Sequence, residues 1–210
     1  MKIVIFLFDG VTALDPIGVY DSLSRLPERE IAFVSATGDA VWTGDGTLQL
    51  QPRSALADID HADILLIPGG SAEGLRDCIA SEAIKCHILR LDQQTTITGS
   101  VCSGSLILAA TGLLRDRKVT THWRAKEYLA PYGATYTGER ITVDGKYWTS
   151  AGVTAGIDLG LRICEDVAGR SIAAAIELAM EYAPEPPFGT GDIRTAPSDL
   201  RDMVERVLNG

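Results

Sequence analysis

Positive charge, long apolar runs and paired cysteines are all scarce in this sequence of 210 residues. Lysine and arginine number 19 against 28 acidic residues, and the net charge of −9 argues against non-specific attraction to nucleic acid or to an anionic membrane. No apolar run is long enough to span a bilayer, and the opening run at residues 1–8 is too short for a signal peptide. We therefore expect a small-molecule or protein partner.

Cysteine occurs at only four positions, Cys78, Cys86, Cys102 and Cys164. No two of them form the C-x-x-C pair that is typical of metal sites, and four are too few for a disulfide framework in a chain of this length. We therefore expect a reducing, cytoplasmic location and no metal. Cys78 and Cys86 are predicted to share one helix, and Cys164 to lie in the core.

Internal repeats and Pro/Ser-rich linkers are also absent, so nothing in the sequence marks a second domain. With 46% hydrophobic and 22% charged residues, the chain has enough apolar surface to bury a core. Residues 1–210 are therefore expected to form a single domain.

Short apolar or β-branched runs alternate with helix-compatible segments along the chain. This pattern predicts an α/β fold, with a mostly parallel central sheet and helices on both faces. The four central strands are expected at Lys2 to Phe6, Glu30 to Ala36, Asp63 to Ile67 and Thr95 to Val101. Turn residues predict hairpins within 37–52 and 134–150, the second turning at Asp144-Gly145, and helices are expected over 154–168, 171–182 and 197–208.

Cys102 lies where a predicted buried strand turns into a predicted helix, with Gly99 and Gly104 nearby. Such a nucleophile elbow forces the reactive residue into a rare backbone conformation and points its side chain at unpaired N–H groups of the next helix. Those groups favour a thiolate, so the pattern predicts a nucleophilic cysteine with a lowered pKa. The alternative is an inert, small core residue.

Loops after the other strands should meet Cys102, because ligands bind beyond the carboxyl ends of the strands in a parallel sheet. The first loop carries Asp15, which could cap the helix begun by Pro16 or act as an acid/base partner with a raised pKa. In the second loop, the Gly70 N–H beside the Ser103 N–H could form an oxyanion-type hole, unless this is an ordinary turn without a ligand.

Two later loops complete the predicted site. His122, next to Trp123, could act as a base, although a lone histidine after a strand is more often a hydrogen-bonded structural residue. Small residues before the next predicted helix are expected to line the pocket: Gly152, Val153 and Thr154.

Three motifs spread along the chain are the Gly69-Gly70 turn, the elbow at Val101 to Gly104, and the Thr154-Ala-Gly-Ile-Asp158 run. Together they resemble the ThiJ/PfpI superfamily over nearly the whole chain. Further features resemble its isocyanide hydratase branch: Leu14-Asp15, Thr120-Thr-His-Trp123, and the tail at Glu181 to Phe188 with Thr195-Ala-Pro197.

Two positions distinguish this chain from other branches. Related members usually have glutamate where Asp15 stands, and the protease-like branch has histidine after the cysteine, where this chain has Ser103. The second difference speaks against peptidase activity. The hydratases themselves carry threonine at that position, so the hydroxyl is retained and the change concerns pocket shape and substrate choice.

The resemblance implies a flavodoxin-like fold, a homodimer, no metal or organic cofactor, and hydration of an organic isocyanide to an N-formamide. It implies that Cys102 attacks the isocyanide carbon to give a covalent thioimidate, and that Asp15 carries the proton in both steps. An apolar wall for the substrate is expected from Trp123, Val153 and Phe188.

Two other functions stay open on the same scaffold. One is a glyoxalase or deglycase that uses Cys102 on an aldehyde, although Asp15 and the proline-rich tail argue against it. The other is an oxidative-stress sensor or the ligand-binding module of a regulator, since an elbow cysteine with a low pKa is readily oxidised. Such regulators append a helix-turn-helix domain, for which the residues after Tyr182 are expected to be too few.

Overall fold

A computed structural model describes the backbone of residues 1–209 and the side chains of residues 1–206. The chain forms two compact units, Met1–Met180 and Glu181–Gly210. All of the predicted catalytic and pocket residues except Phe188 lie in the first unit. The expectation of one domain over the whole chain stays a prediction.

The first unit is built around a seven-stranded sheet whose four central strands are those that the sequence predicts. In spatial order they are β7 (Ile97–Ser100), β6 (Ile64–Ile67), β1 (Lys2–Phe6) and β2 (Glu30–Ser35), and all three neighbouring pairs are parallel. Their carboxyl ends therefore meet at one edge of the sheet, where a ligand site is expected.

The outer strands come from shorter segments. β5 (Ser54–Ala55) pairs with β2, while β11 (Tyr147–Ser150) pairs in parallel with β7 and antiparallel with β10 (Ile141–Asp144). The second predicted hairpin thus forms and extends the main sheet, but it starts later than residue 134. Its expected first residues form β9 (Thr135–Tyr136), which pairs with β8 (Lys118–Val119) instead. Gly138, with a φ of 75°, redirects the chain between β9 and β10.

The first predicted hairpin is confirmed as β3 (Val41–Trp42) paired antiparallel with β4 (Gln49–Leu50). Val11, in the loop after β1, forms isolated bridges to Thr43 and to Gly70. The hairpin is thereby tied to the first two loops of the predicted site.

Helices cover both faces of the sheet, which confirms the flavodoxin-like α/β prediction. Val4 and Phe6 of β1 belong to a core cluster with residues of the helices at 72–80, 82–92 and 105–110. The alternate residues Ile3 and Ile5 point to the other face of the sheet and are fully buried outside that cluster. The helices are α1 (Leu14–Leu23), α2 (Ala72–Ala80), α3 (Glu82–Asp92), α4 (Ser105–Ala110), α5 (Ala155–Ala168), α6 (Arg170–Ala179) and, in the second unit, α7 (Ser198–Asn209). No helix in residues 1–209 is both long and apolar enough to cross a membrane.

The prediction that Cys78 and Cys86 share one helix is wrong. Ser81 between them is extended, and its hydroxyl accepts the Ile84 N–H at 3.3 Å, so it ends α2 and caps α3. Cys78 is buried and Cys86 is exposed. Cys164 is fully buried in α5, as predicted.

Candidate active site

Cys102 occupies the predicted elbow, directly after β7. Its φ of 56° lies in the left-handed region, which is rare and strained for a residue with a side chain. A short 3₁₀ turn, Cys102–Gly104, follows, and then α4, which ends at Ala110. A Cβ on Gly104 would lie 2.2 Å from the Ile67 carbonyl oxygen, so the elbow can pack against β6 only with glycine there.

The main chain of Cys102 is held from two directions. Its N–H donates to the Ala151 carbonyl at 3.0 Å, and its carbonyl oxygen accepts the Thr121 hydroxyl at 3.0 Å. Residues after β11 and after β8 therefore fix the elbow, and these are the two regions that supply the later predicted loops.

The sulfur of Cys102 is buried beside a carboxyl group. Burial and the charge of Asp15 raise the pKa of the thiol to about 12, although the N–H groups of Val153 and Ser103 and the Ser103 hydroxyl act to lower it. The predicted lowering of the pKa is therefore wrong, because Cys102 is only 6% exposed and the loss of water outweighs the hydrogen-bond donors. Burial and Asp15 therefore favour the neutral thiol over the thiolate.

One of those donors comes from a second strained residue. Val153 has a φ of 27°, in a region that β-branched residues rarely adopt. This conformation accompanies the N–H···S contact with Cys102. Strain at both partners of one contact indicates that the surrounding structure enforces it.

Asp15 lies in the first turn of α1 and is fully buried. Its Oδ2 accepts the Gly69 N–H at 2.8 Å, whereas Oδ1 has no hydrogen-bond partner. Burial raises the pKa of this carboxyl from its usual 3.8 to about 7, against the lowering effects of Gly69 and Cys102, and this direction confirms the prediction. The capping alternative is wrong, because the N-cap is Ala13 and no side chain caps the helix.

The glycine turn after β6 brings the two sides of the site together. The Gly70 N–H donates to Ser103 Oγ at 3.3 Å. A Cβ on Gly69 would lie 2.6 Å from Ser103 Oγ and 2.9 Å from Asp15 Oδ2. Gly69 is therefore the residue of this turn whose backbone comes closest to Ser103 and Asp15. The sequence indicates this residue only as one member of the Gly-Gly pair.

His122, Trp123 and Gly152 lie next to one another. His122 begins a 3₁₀ helix, its Nδ1 accepts the Arg124 N–H at 3.3 Å, and its ring stacks on Trp123 with centroids 5.7 Å apart. A Cβ on Gly152 would lie 2.6 Å from the His122 ring, so the histidine packs beside the neighbour of Val153.

Thr154 and Phe188 complete the predicted set. Thr154 precedes α5, and its hydroxyl accepts from Arg140 at 3.4 Å. Phe188 belongs to the second unit, where its side chain is exposed. The roles of His122, Trp123 and Phe188 stay predictions. Among the described residues, no three His, Cys, Asp or Glu side chains are grouped as a metal site would need.

Sequence comparison places this chain among known relatives. A model of the DJ-1/PfpI family matches residues 1–166. The isonitrile hydratase of Pseudomonas putida is 36% identical over 206 residues, which cover 98% of this chain and 89% of the relative.

Structural comparison agrees. A THiJ/PfpI family protein from Pseudomonas syringae superimposes with a TM-score of 0.94 and 31% identity, over 99% of this chain and 86% of the other. Drosophila melanogaster DJ-1beta superimposes with a TM-score of 0.79 over 87% of this chain and 98% of its own, and at 21% identity it supports the fold alone.

Proposed function

The chain belongs to the DJ-1/PfpI family, and within it we propose that this protein is an isocyanide hydratase, which adds water to an organic isocyanide to give an N-formamide. The observation that carries the proposal is the pair of Cys102 and the buried Asp15, whose Oδ1 has no hydrogen-bond partner. The whole-length similarity to the Pseudomonas putida isonitrile hydratase supports the choice of substrate.

The first step makes a covalent bond to Cys102. Asp15 accepts the thiol proton as the sulfur attacks the terminal isocyanide carbon, and it passes that proton to the same carbon. A C–S bond and a C–H bond form, and the N≡C triple bond becomes N=C. The product is a thioimidate, R–N=CH–S, on Cys102.

The second step releases the product. Water attacks the thioimidate carbon while Asp15 takes one of its protons and delivers a proton to the nitrogen. The C–S bond then breaks, the hydroxyl proton of the intermediate returns through Asp15 to the sulfur, and R–NH–CHO leaves. One water molecule is consumed, and both residues end in their starting states.

The two pKa shifts suit this chemistry. At a pKa of about 7, Asp15 can hold or release a proton near neutral pH. The raised pKa of Cys102 keeps the thiol proton in place for the isocyanide carbon until substrate binds. The N–H groups of Val153 and Ser103 then stabilise the thiolate as it forms.

One alternative is an outcome of the same test, and the pKa of Cys102 bears on the other. A glyoxalase or deglycase would use the same cysteine on an aldehyde. A redox sensor is disfavoured, because oxidation proceeds through the thiolate and the pKa of Cys102 is raised to about 12.

The test is ultraviolet-monitored hydration of an aryl isocyanide, with methylglyoxal in parallel. Cys102→Ala should form no formamide, whereas Cys86→Ala, which removes an exposed cysteine, should match the wild type. Asp15→Asn should be severely impaired, and Asp21→Asn, an exposed aspartate on the same helix, should not. Consumption of methylglyoxal without formamide would refute the hydratase and favour the glyoxalase.

We also propose a homodimer in a reducing, cytoplasmic location. Symmetric dimers are the commonest assemblies, and α1 exposes the apolar residues Leu14 and Ile17 near Asp15. All four cysteines are free thiols, which suits a reducing compartment. Sedimentation should give twice the mass of the chain, and a monomer at micromolar concentration would refute the dimer.

A further inference from the structure

Thr121 is a fully buried residue whose hydroxyl reaches the nucleophile's main chain. Its Oγ1 donates to the Cys102 carbonyl oxygen at 3.0 Å. The other link to the elbow, from the Cys102 N–H to the Ala151 carbonyl, is entirely main chain. Thr121 therefore makes the side-chain hydrogen bond that holds the Cys102 backbone.

That hydrogen bond acts on the amide that faces the sulfur. The Cys102 carbonyl and the Ser103 N–H belong to one planar trans peptide, so fixing the oxygen also fixes the direction of the N–H. A donor on the oxygen polarises the peptide and strengthens the N–H as a donor. The Ser103 N–H is one of the groups that stabilise the charged form of the Cys102 thiol.

The second amide at the sulfur is controlled differently. The Val153 N–H belongs to the peptide whose carbonyl is that of Gly152, and this oxygen accepts the Ala155 N–H at 3.0 Å. The hydrogen bond on that peptide is therefore from main chain to main chain. Only the Ser103 amide is held through a side chain that a substitution can remove.

We infer that Thr121 is a positioning residue for the thiolate, because its hydroxyl orients and polarises the peptide whose N–H faces the sulfur of Cys102. The inference rests on the proposed function in taking the thiolate as the reacting form. It concerns the sulfur itself, so it can be tested without an isocyanide.

The chain offers a matched control in the preceding residue. Thr120 is equally buried, and its hydroxyl also donates to a main-chain carbonyl, that of Glu139, at 2.6 Å. Replacing either threonine with valine removes one hydroxyl at constant shape. Only the replacement at 121 affects the elbow.

The experiment is alkylation of Cys102 by iodoacetamide from about pH 6 to about pH 9, quantified on the peptide that contains Cys102 so that the exposed Cys86 does not interfere. Thr121→Val should lower the rate at each pH by about tenfold, the effect of losing one hydrogen bond to a buried group. Thr121→Ser should restore it, and Thr120→Val should leave it unchanged. Thr121→Ala replaces the valine variant if that one does not fold.

Superimposable pH profiles for wild type and Thr121→Val, an equal effect of Thr120→Val, or failure of Thr121→Ser to restore the rate would each overturn the inference. With an aryl isocyanide, Thr121→Val should lower kcat by a similar factor at unchanged KM. If the wild type does not hydrate isocyanides but the alkylation shift is seen, the proposed function fails and the role of Thr121 stands.

Discussion

Two buried aspartates lie at opposite ends of the same sheet and differ in their hydrogen bonding. Asp92, before β7, has both oxygens bonded: Oδ1 accepts the Thr98 hydroxyl at 2.7 Å, and Oδ2 accepts the Tyr147 hydroxyl at 3.3 Å and lies 3.0 Å from Lys146 Nζ. Asp15, beyond β1, accepts the Gly69 N–H through Oδ2 and interacts with the Cys102 side chain, and its Oδ1 has no hydrogen-bond partner. A buried carboxylate with full hydrogen bonding and a cation supports the fold, whereas one with a spare oxygen beside a thiol can move protons.

The largest effect expected from this contrast is on catalysis. Asp15→Asn should lower kcat for isocyanide hydration by about 10²- to 10⁴-fold, because the amide cannot carry the proton. Asp92→Asn should leave kcat per folded molecule within about twofold, because its partners Thr98 and Tyr147 lie near the amino ends of their strands, whereas Cys102 lies beyond the carboxyl end of β7. Steady-state assays of both variants measure this. Similar losses of kcat in both would contradict the assignment of proton transfer to Asp15 and of a structural role to Asp92.

A smaller loss should follow from crowding the same site without removing a reacting group. Gly69→Ala places a methyl group 2.6 Å from Ser103 Oγ and 2.9 Å from Asp15 Oδ2, so the Ser103 and Asp15 side chains must move away from residue 69. A displacement of about 1 Å in a reacting group costs about 10²-fold in kcat. Gly191→Ala, whose added Cβ meets nothing within 4 Å, is the control. Full activity of Gly69→Ala would show that the spacing of Asp15 from the elbow is unimportant.

At the other end of the sheet, the expected effect is on stability. Asp92→Asn leaves Lys146 without its carboxylate and weakens the bonds from Thr98 and Tyr147. Because Lys146 keeps some exposure to water, we expect a loss of about 2 kcal/mol in the free energy of unfolding. Urea unfolding of the two aspartate variants measures it. An unchanged midpoint for Asp92→Asn would mean that this network does not stabilise the fold.

The smallest effect is a pH-dependent gain in stability for Asp15→Asn. The pKa of Asp15 is about 7 in the folded protein and near 3.8 when unfolded, so the unfolded chain releases this proton first and wild-type stability falls as pH rises from about 4 to about 7. The shift of about three pKa units sets that penalty at no more than about 4 kcal/mol above pH 7. Asparagine removes it but buries an amide NH2 group, which costs about 1–3 kcal/mol at every pH. We therefore expect Asp15→Asn to be more stable than wild type by about 1–2 kcal/mol above pH 7 and to show no gain below pH 4. A gain that is independent of pH would contradict the raised pKa.

Local patterns were sufficient to predict the four central strands and the elbow. The apolar run at residues 2–6 and the β-branched run before Cys102 are short, and a turn follows each of them, which favours buried strands over helices. The helix break at Ser81 was missed, because serine occurs both inside helices and at their caps. Its hydroxyl contact with Ile84 decides between the two.

The chemistry of the site depends on contacts that no local pattern contains. Asp15 meets Gly69 across 54 positions, and Thr121 meets Cys102 across 19. The sign of the shift in the Cys102 pKa depends on how deeply the sulfur is buried, which the sequence does not reveal. The elbow motif indicated N–H donors correctly, but burial and the charge of Asp15 outweigh them.

The central claim is that Cys102 bonds covalently to the isocyanide carbon, and it is tested most directly by rapid acid quench during turnover followed by mass spectrometry. The account predicts that the peptide containing Cys102 gains the mass of one isocyanide molecule, that this adduct decays as the N-formamide accumulates, and that Cys102→Ala shows neither adduct nor formamide. Formamide production by Cys102→Ala at the wild-type rate, or an adduct on a different residue, would contradict it.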